Sequence, residues 1–540
     1  MQAAAHDDDD FDLVVLGSGA AGLAAALVGG QQGARVLLAE KAELVGGTTA
    51  MAGGCTWVPG NHLMRAAGLP DSADDALAYI RAVAPPGWAA DEEPLWQAFV
   101  ANAPTMLEFV ERHSALRFGL GGEPDPYPDA PGARLRGRNV SPRPLRFAEL
   151  GAWRTRIRPS PMPFRLTYNE ITDNHLAAIP TRAFTRFGHR LLWRVLTDRR
   201  AMGQAMVGGL LLGCLRHGVS VRTGAAAVRL TLDAGAVTGV ELQRGDRVDV
   251  VRARRGVVIA TGGFEWDQQL MAAHHPGPVT WTASPPTNCG DGHRLAAQAG
   301  AAFARMDQAL IMGARPVMYM GQPLAMPAAD YTLPHSMVVN RHGRRFVNEL
   351  QMNIGLGLDE RDPATGARVN MPAWRIYDAQ YAARYRHMLP GGPEHVQASS
   401  LRALAAAIGV DADGLEDEAA RMSRFARAGR DDDFGRGGNR WDPARSGDPR
   451  LRPNSCLGTI ERAPFHAFPI VPSFLGTKGG PRTDARGQVL STAGRPIPGL
   501  YCAGNAMANP IGSKAVGAGT TLGPCLTWGY VCARSALGLA

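Results

Sequence analysis

Apolar residues are contiguous near the start of the chain and periodic further on. Phe11-Asp-Leu-Val-Val-Leu16 and Arg35-Val-Leu-Leu-Ala-Glu40 read as strands buried on both faces of a parallel sheet. Between them, Leu23-Ala-Ala-Ala-Leu27 continues as a small-residue helix, so residues 11–60 predict a strand–helix–strand unit. Helical spacing then recurs over Ala76–Ala84, Pro94–His113 and 184–217. Val219–Thr223, Ala226–Leu232 and Gly235–Leu242 read as strands, the last two joined by a turn at Asp233-Ala-Gly. Gly256-Val-Val-Ile-Ala-Thr-Gly-Gly263 is a further apolar strand that ends in glycines. Composition shifts near residue 305. Beyond it, strands are predicted around Ser336–Val339 and Arg345–Asn348, and helices at Asp378–Tyr385 and Leu401–Ala428. The stretches 119–165 and 429–455, rich in Gly, Pro and Arg, read as loops. From 464 onward the glycine-dense pattern returns. The organisation expected is one domain over 8–305, with a helical and loop excursion at 119–217, resumed at 458–540 and interrupted by a second domain at 306–457.

Composition narrows the possibilities. At 540 residues the chain can hold two domains and a large core. Hydrophobic content of 45% and charged content of 20% fit a soluble globular protein. The net charge of +8 comes almost wholly from arginine, since Lys41, Lys478 and Lys514 are the only lysines. The arginines are scattered, which gives no coherent basic face for nucleic acid. Seven cysteines without a C-x-x-C spacing argue against a metal cluster or attached haem and suit reduced thiols in a cytoplasm. The acidic run Asp7–Asp10 is unlike a signal peptide. No stretch has the roughly 18 uninterrupted apolar residues of a membrane span. The longest candidate, Ala201–Leu215, is broken by glycines and Gln204.

The first strand runs straight into Gly17-Ser-Gly19-Ala-Ala-Gly22, and Glu40 lies 18 residues past Gly22. Gly17 permits the tight turn, Gly19 lets the backbone approach a pyrophosphate, and Gly22 lets helix and strand pack closely. The helix start offers free N–H groups to phosphate, and Glu40 stands where a carboxylate accepts from a ribose hydroxyl. Four more glycine-rich blocks follow: Gly46-Gly-Thr-Thr-Ala-Met-Ala-Gly-Gly54, Ala260-Thr-Gly-Gly-Phe264, Gly290-Asp-Gly292, and Leu500-Tyr-Cys-Ala-Gly-Asn505 with Gly517-Ala-Gly-Thr-Thr-Leu-Gly-Pro524. In this order the blocks resemble the FAD-dependent fumarate reductase/succinate dehydrogenase flavoprotein superfamily, most of all its 3-ketosteroid Δ1-dehydrogenases. The resemblance implies an α/β fold: a discontinuous Rossmann-type FAD-binding domain with an inserted α+β substrate domain.

It also implies which residues hold FAD. They are Gly17, Gly19, Ala20, Ala21, Gly22, Glu40 and Lys41 in the first unit, then Gly46, Gly47, Thr48, Thr49, Ala52, Gly53 and Gly54. Ala227 and Val228, Ala260, Thr261, Gly262, Gly263 and Asp291 follow, and Gly504, Asn505, Gly519, Thr521 and Leu522 complete the set. Relatives with covalent FAD carry a histidine where Gly47 stands, so the cofactor is expected to be non-covalent. The helix opening at Thr520–Pro524 would direct its positive end at the flavin and favour hydride acceptance.

Removing a β-hydride from a ketone requires a base for the α-proton and donors for the growing enolate charge. The resemblance assigns one donor to the Gly519 amide and carries one catalytic tyrosine to Tyr127, in Asp125-Pro-Tyr127-Pro. The family's other two tyrosines are absent, with Ala515 and Asn353 in their places. Tyr168 ranks first as the replacement, ahead of Tyr319 and Tyr331. Lys514 is a candidate for holding a carbonyl or carboxylate oxygen. His335 and Lys478 read as structural, and Asp431–Asp433 as solvated charge. The expected reaction is desaturation of a cyclic ketone, steroid-like or smaller, beside its carbonyl, with a separate electron acceptor for re-oxidation. Two alternatives stand beside it. One is an ene-reductase of the fumarate or urocanate type using Arg315, Arg341, Arg344 and Arg345; the other is an electron-transfer subunit.

Overall fold

The computed structural model describes residues 9–275 and 281–539. The first strand, Asp10–Leu16, lies inside a sheet between Val36–Ala39 and the long strand Arg247–Ile259. Ser220–Arg222 extends the sheet on one side and Pro496–Cys502 on the other, all parallel, and Gln488–Leu490 closes the edge antiparallel. The strand from the tail thus completes the sheet begun by the first unit. The expected turn joins Ala226–Asp233 to Ala236–Arg244, with Ala234 and Gly235 at positive φ, whereas Ser220–Arg222 pairs with Val36–Ala39 and not with these two strands. An unexpected third antiparallel strand and the expected Gly256 strand are one continuous element, Arg247–Ile259.

Helix Ala20–Gln31 is buried along almost its whole length because other helices cover it. Met202–Arg216 and Leu522–Ala536 pack against it, and small residues make the close approach possible. A Cβ at Gly22 would overlap the carbonyl oxygen of Gly17, and one at Gly529 that of Ala21. The apolar stretch Ala201–Leu215 is therefore a core helix, and no helix among the described residues is long and apolar enough to cross a membrane.

The second sheet runs Gln322–Pro327, Ala309–Tyr319, Phe465–Thr477, Ala373–Tyr377, Ser336–Val339, with Val396–Ala398 beside Phe465–Thr477. Phe465–Thr477 carries this sheet past residue 457, and its Thr477 end reaches the first domain. The cavity lies where the two sheets meet.

Several expected elements differ. The single helix at 184–217 is two, Thr181–Leu196 and Met202–Arg216, broken where Asp198 and Met202 take positive φ. Leu401–Ala428 also divides, at left-handed Gly409. The stretch 119–165 holds short strands and a 3-10 segment, and Trp441–Arg445 is helical. Arg345–Asn348 forms no strand, because Arg345 turns inward to a fully buried cluster. It pairs with Glu349 at 2.8 Å and Asp431 at 2.9 Å, and Arg436 pairs with Glu349 at 3.2 Å. Asp431 is thus a buried ion-pair partner and not solvated charge. Asp9 and Asp10, the described half of the first acidic run, pair with Arg222 and Arg254.

Candidate active site

A cavity of about 340 Å³ runs from Ala225 and Ala227 past the first glycine turn to the start of helix Leu522–Ala536. Its first half is walled by backbone. Gly17 takes φ +100°, and a side chain there would strike Ala260. Gly19 is different: a Cβ would meet only Thr49 Oγ1, at 3.6 Å, so nothing in the protein excludes a larger residue. The empty cradle is what a pyrophosphate needs at the helix N-terminus. Thr49 Oγ1 accepts from Ala20 N–H at 3.0 Å. The Glu40 carboxylate accepts from Ser18 N–H at 3.0 Å and Ser18 Oγ at 2.5 Å, and from Ala42 N–H at 2.9 Å. Lys41 pairs with Asp291 at 2.5 Å across the same wall.

Three polar atoms in this wall have no partner: Thr261 Oγ1, Asn505 Oδ1 and Thr521 Oγ1. Buried hydroxyls and amides normally find a partner, and leaving one unmade costs about 1–3 kcal/mol. Together with the cradle at Gly19 and the uncapped helix start at Thr521, they fit a dinucleotide carrying a flavin. Gly47 faces open space where a covalent anchor would need a histidine. Asn288 donates to Thr48 Oγ1 at 3.1 Å and to Glu265 at 2.7 Å, and Glu265 accepts from Thr477 N–H at 3.2 Å. This network ties the Gly46–Gly54 block to the second sheet. Burial raises the Glu265 pKa.

The other half of the cavity is walled by side chains. Met162, Met312, Met326 and Met352 supply an apolar lining. Tyr168 and Arg445 enter it from opposite domains. Arg445 Nη1 donates to Tyr168 Oη at 2.7 Å, and Tyr168 Oη donates to Glu123 at 3.0 Å. Tyr168 begins a short helix fixed by a capping box between Thr167 and Glu170. Glu123 is buried and also accepts from Asn139 at 3.2 Å. Desolvation pushes the Glu123 carboxyl up to about 7, against the pull of Arg445 and the Tyr168 hydrogen bond. Burial holds the Tyr168 phenol well above its usual value, Arg445 opposing, and raises the Cys55 thiol beside it. Gly519 lies in the wall at φ +94°, and a Cβ there would be 2.5 Å from the Thr56 backbone.

Most of the expected cofactor residues line this cavity. Four do not. Gly22 and Gly46 pack against Gly17 and Val207, and Gly263 against Thr477 and Glu265, so each permits a close approach behind the wall. Val228 lies outside the lining: Ala227 faces the cavity, so the next side chain on that strand points away and is 43% exposed. Tyr127 also lies outside the cavity lining and takes the Lys514 ammonium over its ring at 5.0 Å. Tyr319 donates to Pro159 O at 2.6 Å, and Tyr331 is buried behind the wall. Lys478 donates to Gly512 O at 2.5 Å, with burial lowering its pKa to about 8, and His335 bonds Thr459 O at 2.8 Å. Both are structural, as expected. The reductase arginines fail the geometry: Arg345 is locked in the buried cluster, Arg344 pairs with Asp417, and neither Arg315 nor Arg341 lines the cavity.

Arg445 and Glu123 were missed. Both sit in stretches whose composition reads as loop, and only the fold brings them within reach of Tyr168. Ser18, inside the first glycine motif, and Asn288 were missed because their bonds to Glu40 and Thr48 form only in the fold.

A dinucleotide cradle in a doubly wound domain, closed by a second sheet over a small reactive chamber, defines a flavoprotein of the two-domain class. The model of the FAD binding domain family matches residues 12–522, and the chain belongs to that family. It is an FAD-dependent oxidoreductase. It is 38% identical to 4-oxocyclohexanecarboxylate 2-dehydrogenase of Sinomonas cyclohexanicum, over 98% of this chain and 93% of that one. It is 35% identical to 3-oxosteroid 1-dehydrogenase of Mycobacterium tuberculosis, over 97% and 98%. Among solved structures, 3-ketosteroid Δ1-dehydrogenase from Sterolibacterium denitrificans superposes with a TM-score of 0.90 at 32% identity, covering 98% of this chain and all of the other.

Proposed function

We propose that the protein desaturates a cyclic ketone beside its carbonyl, with Tyr168 as the base and Glu123 as the final proton acceptor. The observation that carries this reading is the hydrogen-bonded chain Arg445–Tyr168–Glu123 at the wall of the reactive chamber. Bound FAD supplies the acceptor for the hydride that leaves the β-carbon. The α-proton passes to Tyr168 Oη as the phenol's own proton moves to Glu123. A carboxyl titrating near 7 is matched to this task at neutral pH. Arg445 holds Tyr168 Oη and offsets the negative charge that develops there. The Gly519 N–H is the donor proposed for the carbonyl oxygen, since Gly519 lines the cavity. The methionine lining excludes water and adapts to a ring.

Anaerobic mixing of the holoenzyme with a cyclic ketone tests this. The flavin absorbance should bleach at the rate of substrate oxidation, and Tyr168→Phe should retain FAD while losing that bleaching. Full bleaching in Tyr168→Phe would assign the base elsewhere.

A second reading of the substrate rests on Arg445, which lines the chamber beside Tyr168 and the methionines. The Sinomonas relative's name supports a small ring bearing a carboxylate, with Arg445 as its counter-ion. Arg445→Gln would then raise KM for a keto acid far more than for its methyl ester.

A further inference from the structure

The helix Thr181–Leu196 is turned the wrong way round for a soluble protein. Its anchored side holds Phe187 and Arg194, and Arg194 makes two 2.7 Å bonds to Glu170. Its outward side carries Phe184, Leu192, Trp193, Val195 and Leu196, each between 51% and 75% exposed. At 3.6 residues per turn these five span roughly half the helix circumference, an arc they share with exposed Thr181, Thr185 and His189, and the Arg199 guanidinium lies over the Trp193 ring at 4.2 Å. Arg186 and Arg190, both exposed, follow along one edge, and the helix has no acidic residue. A second exposed apolar point, Met318 and Met320, lies at the tip of the hairpin Ala309–Pro327. Tyr319 between them donates to Pro159 O and ties that tip to the segment leading to Met162 and Tyr168.

We propose that this helix docks the protein onto an anionic phospholipid surface, apolar face into the acyl boundary and arginines at the headgroups. An apolar arc with a basic edge is the pattern of helices that lie in the interfacial plane. Charge decides between a bilayer and a second copy of the chain. A two-fold interface would gather two copies of Arg186 and Arg190 in one seam without an acid on either helix, whereas anionic headgroups supply the opposite charge. Docking there places the lipid surface over the segment that contributes Met162 and Tyr168 to the reactive chamber.

The test uses the FAD-loaded full chain with vesicles of phosphatidylglycerol and phosphatidylcholine in equal parts, and with phosphatidylcholine alone. The protein should cosediment with the anionic vesicles and be released as salt is raised. Leu192→Ser/Leu196→Ser should weaken binding at least about tenfold while leaving ketone turnover in solution unchanged, since neither residue lines the cavity. Arg186→Gln/Arg190→Gln should weaken binding only to the anionic vesicles, by about fivefold or more. Absence of vesicle binding by the unmodified protein overturns the proposal, as does equal binding by the serine variant. A lipid-independent dimer that falls to monomer in the serine variant, without vesicle binding, assigns the face to a second copy and overturns it as well.

Discussion

At the cofactor end of the cavity the wall is backbone: Gly17, Gly19, Ala20 and the start of helix Leu522–Ala536 present amides and open space. At the reactive end it is side chains: Tyr168 and Arg445 line it and Glu123 backs Tyr168, from segments up to 322 residues apart. The first kind of wall depends on where side chains are missing. The second depends on which ones are present and what surrounds them. A pyrophosphate-linked dinucleotide backbone is the same in every FAD, so its cradle can be written as glycine spacing. The proton path for one ketone has no such shared shape, and the path proposed here uses residues that the related dehydrogenases' tyrosine pattern does not foretell.

This contrast can be broken or sharpened by substitution. The largest effect is expected at Tyr168. Tyr168→Phe should lower kcat by roughly 10²–10⁴-fold with FAD content unchanged, measured by single-turnover bleaching. A loss of bound flavin instead would mean that the two ends are one structural unit. Gly22 and Gly19 come next as a matched pair. Gly22→Ala collides with the Gly17 carbonyl and should destabilise the protein by about 3 kcal/mol or more in thermal or denaturant unfolding. Gly19→Ala has room in the protein, so it should leave the flavin-free protein's unfolding midpoint nearly unchanged and release FAD on dilution. If both variants unfold alike, the reading of Gly19 as ligand space is wrong.

A smaller effect is expected at Glu123. Its carboxyl is raised from the ordinary value to about 7, so it is protonated below that pH and cannot accept a proton. The kcat/KM of the native enzyme should therefore rise with pH through about 7 and then level, and Glu123→Gln should flatten that limb while lowering the plateau about tenfold or more. The stability effect has the opposite sign. A carboxyl raised on folding binds more protons in the native state, so it costs stability as pH climbs from the unfolded value towards 7. Glu123→Gln should accordingly reduce the fall in unfolding free energy over that window. The smallest effect belongs to Val228, which faces solvent: Val228→Ser should change FAD affinity and stability by no more than about 0.5 kcal/mol.

The same division separates what was legible in the chain from what was not. The strand–glycine–helix unit, the Asp233-Ala-Gly turn and the return of the tail strand to the first sheet all follow from local patterns, because buried parallel strands and tight turns restrict residue type at each position. Gly17, Gly19 and Glu40, read from motif spacing, and Thr49, Thr521 and Leu522, implied by the resemblance, line one cavity. The break between Leu196 and Met202 was hidden, since both flanking segments carry good helical patterns and the positive φ at Asp198 and Met202 is imposed by tertiary contacts. Tyr127 was drawn in by resemblance, but the loop carrying it packs outside the chamber beneath Lys514.

The sequence by itself determined the α/β class, the dinucleotide cradle and the absence of a histidine at Gly47, because each is a constraint on neighbouring positions. Only the tertiary structure decided the reactive end. Burial turns Glu123 into a group that titrates near neutrality, and the meeting of two domains brings Arg445 to Tyr168. Both are effects of surroundings, set by residues hundreds of positions away in the chain.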